Sequence, residues 1–573
     1  MKRGIVYYYR GQGDSVDAYA IDVLQSILQY SQSVIVVCGQ EVNPQFLKRF
    51  TDEIHAKIVT NAYMNLLQAY VAGIDRLDDK KSFDEVLCIS DSVMGPLSDP
   101  RPIFKASDEW KNSAWGLAFQ KMYVDSKDQK YLSLDFIALR KNIFLGTAIY
   151  KHIRKMSYLS ITNDDELSFA FSQYLTTLGC ILRAYLSEDT TKSYRRPFFD
   201  NPEAMCRVSP FFWKEAFYCS PRNVYVSTSG CNVPAALQYL TESSIFNVDT
   251  LWNYLFKKQN IADIHHCIKP DLVLSVDSTL PYCSNIEYSC ALLIHLYYED
   301  ILYDSYVYVK NIPETMDLLI TTVSSEMKSK ILAMFSNIPC RKLVVRIVSE
   351  RGRSESAFLL GFSQEIFQYD LVCFVHDKKT MQIQPPSVGQ EFNRMGMEGC
   401  LASKEYIKNV ICSFKQHPRL GLACALPTNV GQYYNILGAY EWGDNAKEMV
   451  DLAERLTIDK NLIDPKKRLL APFGSYFWFR PIALKPLLDY PWELKDFPEE
   501  PVGSDGSLLH AIERIYPFVA QTMGYYTAYC TSNQSAAQRM EDWAFQIRSI
   551  NQYIGNNVQD FYDALNRIQK KFS

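Results

Sequence analysis

The sequence has no unbroken apolar run of roughly 18 residues, so no segment reads as a membrane-spanning helix. It has no basic excess. Lys and Arg number 60 against 64 Asp and Glu, a net charge of −4, which argues against nucleic acid as a partner. The 15 cysteines form no C-x-C or C-x-x-C pair and are irregularly spaced. They read as reduced, mostly buried thiols of a cytoplasmic protein. The N-terminal MKRGIVYYYRGQGD has Lys2 and Arg3 but too few apolar residues for a signal-peptide core, and reads as a first strand. The stretch RGQGDSVDAY after it falls short of G-x-G-x-x-G, which counts against a dinucleotide-dependent enzyme such as an epimerase.

What is present is a 47% hydrophobic chain of 573 residues, enough for roughly two to four cored domains. The 38 Tyr and 31 Phe could supply platforms for sugar rings, or simply fill cores. Apolar runs alternate in period. GIVYYYR, SVIVVCG, AKIVTN and FDEVLCISDS read as strands, separated by the helical AYAIDVLQSILQYS, NPQFLKRFTDEIH and NLLQAYVAGIDRL. The rhythm recurs later. CALLIHLYY, DLLITTVS, KLVVRIVS and YDLVCFVHDKK are separated by EDILYDSYVYVKNI, EMKSKILAMFSNI and SESAFLLGFSQEIF. The order β-α-β-α-β-α-β predicts two α/β halves with mostly parallel sheets. Both fourth strands begin aromatic-Asp and end on an Asp, which suggests a duplicated nucleotide-binding unit. The expected organisation is a first domain at 1–150, a helical extension and linker at 151–270, a second domain at 271–545 and terminal helical segments at 546–573.

Ligands of parallel sheets bind beyond the carboxyl ends of the strands. Asp91 (beside Ser90 and Ser92) and Asp377 (between His376 and Lys378–Lys379) lie at such ends. Either carboxylate could hold Mg2+ or Mn2+ on a diphosphate, or a hydroxyl; either could also be a turn residue. No D-x-D pair stands at the second Asp, so the lysines could balance the diphosphate instead. Arg351, Gly352 and Arg353 precede a helix whose N-terminus attracts anions, with Ser354 a possible cap. Asp505, between Gly503 and Gly506, could take a proton from an acceptor or cap the next helix. His510 and Glu513 share a face of that helix and could orient an acceptor, with Glu499 and Glu500 as alternative bases. Gly474 and Ser475 break an apolar run and could pass close to a donor sugar. The adjacent His265 and His266 read as a helix end rather than a metal pair.

The segments ERGRSESAFLLGF, YDLVCFVHDKKT, HPRLGLACALPTNVGQYYNILG, LAPFGSYFWFRPIALKPLL and DFPEEPVGSDGSLLHAIERIYPFVAQTMGYYTAY occur in series between about residues 290 and 530. With SPFFWKEAFY, VDTLWNYLFKKQN and FDEVLCISDSVMGPL, they make the chain resemble the rhamnan synthesis protein F family of bacterial polyrhamnose assembly. The resemblance implies two tandem GT-A-like domains and an inverting hexosyltransferase of cell-wall or capsular polysaccharide synthesis. It further implies dTDP-rhamnose as donor and a lipid-linked saccharide as acceptor, met peripherally at the inner face of the membrane. It implies Asp505 and Asp377 as catalytic, and Arg351, Gly352, Arg353, His376, Lys378, Lys379, Asp91 and Ser92 as donor-binding. His510, Glu513, Gly474 and Ser475 then support the acceptor side. The family's Arg-Gly-Arg-Asp is here followed by Ser354 and Glu355, and NAYMNLLQAY departs from the first-half pattern. The alternative is a non-catalytic glycan-binding or assembly-scaffold protein with degenerate transferase domains.

Overall fold

A computed structural model describes the chain except residues 12–15, 40–41, 44, 61, 64, 112, 192–193, 220–231, 244, 282–287, 380–383, 430, 434–440, 504, 555–559, 561–562, 565–566 and 568–573. The chain divides into two compact units, Met1–Tyr254 and Leu255–Ser573. Both are mixed α/β with mostly parallel sheets.

In unit 1, strands β1 (Arg3–Tyr9), β2 (Ser33–Cys38), β3 (Lys57–Thr60) and β4 (Glu85–Ser90) alternate with helices α1 (Ala18–Ile27), α2 (Lys48–Ile54) and α3 (Leu66–Ile74). β1 and β4 are buried along their whole length, as strands covered by helices on both faces must be. Asn65 caps α3 by accepting the Gln68 N–H. Three further strands complete the sheet: β5 (Ala114–Gly116), β6 (Phe136–Arg140) and β7 (Leu182–Ala184). Their order is β3-β2-β1-β4-β6-β5-β7, with β6 antiparallel to both its neighbours. β7 pairs with β5, and Phe212–Trp213 pairs with Val93–Met94. Residues beyond 150, expected as extension and linker, thus supply the edge strand β7 to the first sheet and one strand of a separate two-stranded pair.

Unit 2 has the same plan. β8 (Leu272–Leu274) is followed by β9 (Cys290–His295), β10 (Asp317–Thr322), β11 (Lys342–Ile347) and β12 (Leu371–His376). Helices α4 (Leu302–Val309), α5 (Ser325–Phe335) and α6 (Arg353–Gly361) lie between the last four strands. After helix α7 (Pro386–Leu401) come β13 (Leu420–Ala425), β14 (Phe477–Phe479), helix α8 (Leu508–Thr522) and β15 (Tyr526–Ser532). The order is β11-β10-β9-β12-β14-β13-β15-β8, and β14 is again antiparallel to both neighbours. Setting β8 aside, both sheets run third-second-first-fourth-sixth-fifth-seventh. His265 and His266 sit in the last turn of the helix Ile261–Ile268, and His265 Nε2 lies 2.8 Å from Asp271 Oδ1. Among the described residues no helix is long and apolar enough to cross a membrane.

At the amino edge of each sheet sits a paired carboxylate. Glu85, fully buried, meets Arg3 Nε (2.8 Å), Arg140 Nη1 (2.9 Å) and Trp115 Nε1 (2.7 Å). Asp317 takes a two-pronged contact from Arg341 (2.7 and 2.9 Å) and the Tyr369 hydroxyl (2.8 Å). Removing one partner of such a buried set strands the others without compensation. Glu85→Ala is expected to destabilise unit 1 by roughly 3–5 kcal/mol, read as a lowered urea midpoint.

Candidate functional site

The carboxyl edges carry the predicted chemistry. In unit 1 the Asp91 N–H donates to the Tyr8 carbonyl (2.9 Å), and the Arg10 N–H donates to Asp91 Oδ2 (3.1 Å). In unit 2 the Asp377 N–H donates to the His295 carbonyl (3.1 Å), and the Tyr297 N–H donates to Asp377 Oδ2 (2.8 Å). Arg10 and Tyr297 each lie two residues past the strand residue whose carbonyl is used. The two carboxylates therefore hold the same position in the two sheets.

Their surroundings differ. Asp91 Oδ1 receives Arg10 Nε (3.1 Å), and Lys214 Nζ lies 3.9 Å from Oδ2. Burial alone would raise the Asp91 carboxyl, but Lys214 and Arg10 outweigh it and hold it below its ordinary value. Ser92 Oγ receives Arg10 Nη2 (2.6 Å). Asp91 does not fit the metal-ligand part expected of it, because the chain's own cations neutralise it. Asp377 has no such partner among the described residues. Its Oδ2 accepts the N–H groups of Tyr297 and Tyr298 (2.8 and 2.7 Å), and its buried Oδ1 has no hydrogen-bond partner among the described residues. Burial pushes this carboxyl up to about 7, against the lowering effect of the two amides.

His376 is buried, stacked on Tyr476 at 5.1 Å, with Nδ1 at 2.8 Å from the Asp377 carbonyl and Nε2 at 2.7 Å from the Gly474 carbonyl. Burial and the charge of Lys378 push it down to about 4. It faces inward and ties strand β12 to the loop before β14, rather than facing a donor as expected. Gly474 and Ser475 both take positive φ, 85° and 58°. A Cβ on Gly474 would meet the Phe392 ring at 2.5 Å, so the loop needs glycine there. Ser475 Oγ donates to Glu355 Oε1 (3.0 Å) and Ser354 Oγ to Glu355 Oε2 (2.8 Å), so Ser354 serves Glu355 rather than capping α6. Burial and the charge of Glu513 raise the Glu355 carboxyl.

The expected diphosphate-binding cations are at the edge but already engaged. Arg351 donates to the Phe497 and Lys495 carbonyls (2.7 and 3.0 Å) and to Glu499 (2.8 Å). Arg353 grips Glu500 with two nitrogens (2.6 and 3.0 Å). Gly352 between them, φ 85°, lies so close to Phe497 that a Cβ would fall 2.8 Å from that side chain. Lys379 pairs with Asp300, and the Lys378 ammonium lies 4.4 Å over the Phe392 ring.

Because β14 runs antiparallel and β15 parallel, the chain must bring the N-terminal end of α8 to this same edge. Asp505 does not cap α8 by side chain: Ser507 holds the cap position. Asp505 Oδ2 accepts the Asp444 N–H (2.9 Å) and Oδ1 the Asn445 side-chain amide (2.5 Å), with Arg514 Nη2 at 3.9 Å. Burial would raise its carboxyl, but the Asp444 amide, Asn445 and Arg514 together hold it below its ordinary value. Both carboxylate oxygens of Asp505 are thus engaged within the fold. The residue clasps two loops together. Glu513 lies further along α8, with Oε1 3.1 Å from Arg514 Nη1, and its charge acts on Glu355, His376, His510 and Tyr476. His510 Nδ1 lies 2.8 Å from Ser507 Oγ. Residues 12–15, Thr380, Val430, Tyr434–Gly438 and Ser504, in stretches singled out in the sequence, lie outside the described residues.

The Asp377 carboxyl gives a signed pH dependence. The unfolded chain loses this proton near 3.8 and the folded chain near 7. Between those values the folded state holds more protons, so the group's contribution to stability falls as pH rises, and the whole penalty is present above about 7. Asp377→Asn is expected to flatten that part of the stability curve, measured by urea denaturation from pH 4 to pH 8.

A region of the chain is 26% identical over 241 residues to "Uncharacterized protein WxcX" of Xanthomonas campestris pv. campestris (strain B100), covering 41% of this chain and 32% of that protein. The chain thus matches about a third of the length of this curated relative. Among solved structures, the glycosyltransferase GlyE in Streptococcus pneumoniae TIGR4 is similar at 12% identity and a TM-score of 0.26, over 65% of this chain and 84% of that one. The mannosyltransferase PcManGT from Pyrobaculum calidifontis in complex with GDP-Man and Mn2+ is similar at 12% identity and a TM-score of 0.26, over 51% of this chain and 69% of that one. The family model described as rhamnan synthesis protein F matches residues 34–525, which takes in strands of both sheets and both strand-end aspartates, and the chain belongs to that family.

Proposed function

We propose that the protein is a nucleotide-sugar-dependent glycosyltransferase of surface-polysaccharide assembly, with its donor site at the carboxyl edge of the unit 2 sheet. The proposed reaction moves rhamnose from dTDP-rhamnose, with inversion, to a lipid-linked saccharide met at the inner membrane surface. Family membership supports the reaction class. The observation that carries the site is Asp377, a buried carboxylate with one oxygen free of any partner among the described residues, at the edge where parallel sheets bind ligands.

A divalent cation fits this oxygen in a limited way. No group of three or more His, Cys, Asp and Glu suited to a metal occurs among the described residues. Asp377 would therefore hold Mg2+ or Mn2+ jointly with the donor's phosphates, as such ions are commonly held. When bound, the ion would supply positive charge to the departing diphosphate. The chain's own residues do the rest. Arg351 and Arg353 stand where the diphosphate arrives and can exchange their carboxylate partners for phosphate oxygens. The Gly474–Ser475 loop, tied by His376 and Glu355, sets the wall beside the sugar. Glu513 takes the acceptor proton as the acceptor oxygen attacks the anomeric carbon, and the nucleoside diphosphate leaves with the bonding pair. Asp505 holds the loops that position α8.

The test is incubation with dTDP-rhamnose and a lipid-linked rhamnosyl acceptor, with product followed by mass. Transfer is expected, falling about 100-fold or more in Asp377→Asn. Donor binding without any transfer would sink the enzyme reading and leave a glycan-binding or scaffold role. Glu513→Gln is expected to lower kcat by about 100-fold at unchanged KM. Asp505→Asn is expected to act mainly on stability; the reverse outcome would return the base role to Asp505.

A further inference from the structure

We propose that the chain takes one nucleotide sugar, in unit 2, and that unit 1 is a copy of the same site sealed by its own cations, Arg10 and Lys214. This rests on reading the edge around Asp377 as the donor site.

The two edges are built alike down to one main-chain hydrogen bond, so they can be compared residue by residue. The position two past the first-strand residue whose carbonyl takes the aspartate N–H is Arg10 in unit 1 and Tyr297 in unit 2. The Tyr297 hydroxyl donates to Glu350, so its side chain is held by another carboxylate and leaves Asp377 Oδ1 open. Arg10 turns back on the carboxylate instead. Its Nε donates to Asp91 Oδ1 (3.1 Å), its Nη1 to Asp164 Oδ2 (2.9 Å) and its Nη2 to Ser92 Oγ (2.6 Å). All three guanidinium nitrogens are thus committed, two of them to carboxylates.

Lys214 completes the seal. Its ammonium, 3.9 Å from Asp91 Oδ2, donates to the Tyr19 hydroxyl (2.6 Å) and lies 4.5 Å from the Tyr19 ring and 4.1 Å from the Tyr254 ring. The side chain is only 5% exposed. Nearby acids are held as well. Glu215 Oε1 accepts from Ser92 (3.3 Å), and Asp135 accepts from Ser90 (2.6 Å) and Trp213 (3.2 Å). A cation carrying a diphosphate would have to take Asp91 Oδ1 from the Arg10 guanidinium and sit beside the buried Lys214 ammonium. Asp377 asks for no such exchange.

Titration calorimetry with dTDP, UDP and GDP, each with Mn2+, tests this on the full chain. One equivalent of nucleotide is expected for the unaltered protein and none for Asp377→Asn. Tyr297→Arg, which gives unit 2 the residue of unit 1, is expected to weaken binding at least about tenfold with an unchanged melting temperature. Two equivalents, or one that persists in Asp377→Asn, would show that unit 1 takes nucleotide and overturn the proposal. Undiminished affinity in a folded Tyr297→Arg would overturn the seal. Failure of all three nucleotides to bind the unaltered protein would instead overturn the donor-site reading of unit 2, and the proposal with it.

Discussion

In each unit a carboxylate just past the fourth strand accepts a main-chain N–H from just past the first. This contact needs the first and fourth strands to be parallel neighbours ending level with one another. That pairing in turn fixes which loops share the edge: those after the first, third and fourth strands, the one entering the antiparallel sixth, and the one entering the helix before the seventh. The site residues are far apart in sequence, and this single register gathers them. Because the contact uses backbone on the donor side, it leaves the side chain of the donating residue free to vary. Arg10 and Tyr297 are two outcomes of that freedom.

The sheets divide their polar work between two edges. At the amino edges Glu85 and Asp317 meet arginines in good geometry and have every visible demand met. Such sets hold strands in place, since breaking them strands a buried charge. The carboxyl edge of unit 2 is the opposite case: a buried carboxylate with an oxygen unmatched among the described residues, next to a buried histidine whose ring nitrogens face carbonyl oxygens. That oxygen, unmatched among the described residues, is the one the proposed donor site uses.

Much of this was legible in the sequence, and for definite reasons. The strand–helix alternation of both halves stands out because strands buried on both faces are written as nearly continuous apolar runs, such as SVIVV and DLLIT. The pairing of Asp91 with Asp377 was visible because both follow an aromatic-Asp start at the same spacing. The second half of each sheet was not. β5 and β7 are three residues each, too short to carry a period, and the antiparallel insertion of β6 and β14 is a tertiary choice with no local signal. The partners of Asp91 were hidden for another reason. Arg10 sits in a glycine-containing stretch that draws attention as a failed dinucleotide motif, and Lys214 lies in SPFFWKEAFY, far along the chain. Asp505 stands between glycines as a base or cap would, but its fate is set by Asp444 and Asn445, about 60 residues earlier.

The contacts of Arg351 and Arg353 with Glu499 and Glu500 bear on what the proposed donor site would admit. An anion reaching those guanidiniums competes with carboxylates that are tethered to the same fold and therefore present at high effective concentration. A ligand bearing one negative charge, such as a simple carboxylate or a lone sugar acid, replaces like with like and gains little. A diphosphate brings several anionic oxygens on one group, and the proposed donor site sets them against these arginines. In the proposed donor site the acidic pair would then act as a charge filter, keeping the arginines ordered and yielding to polyvalent anions before weak ones.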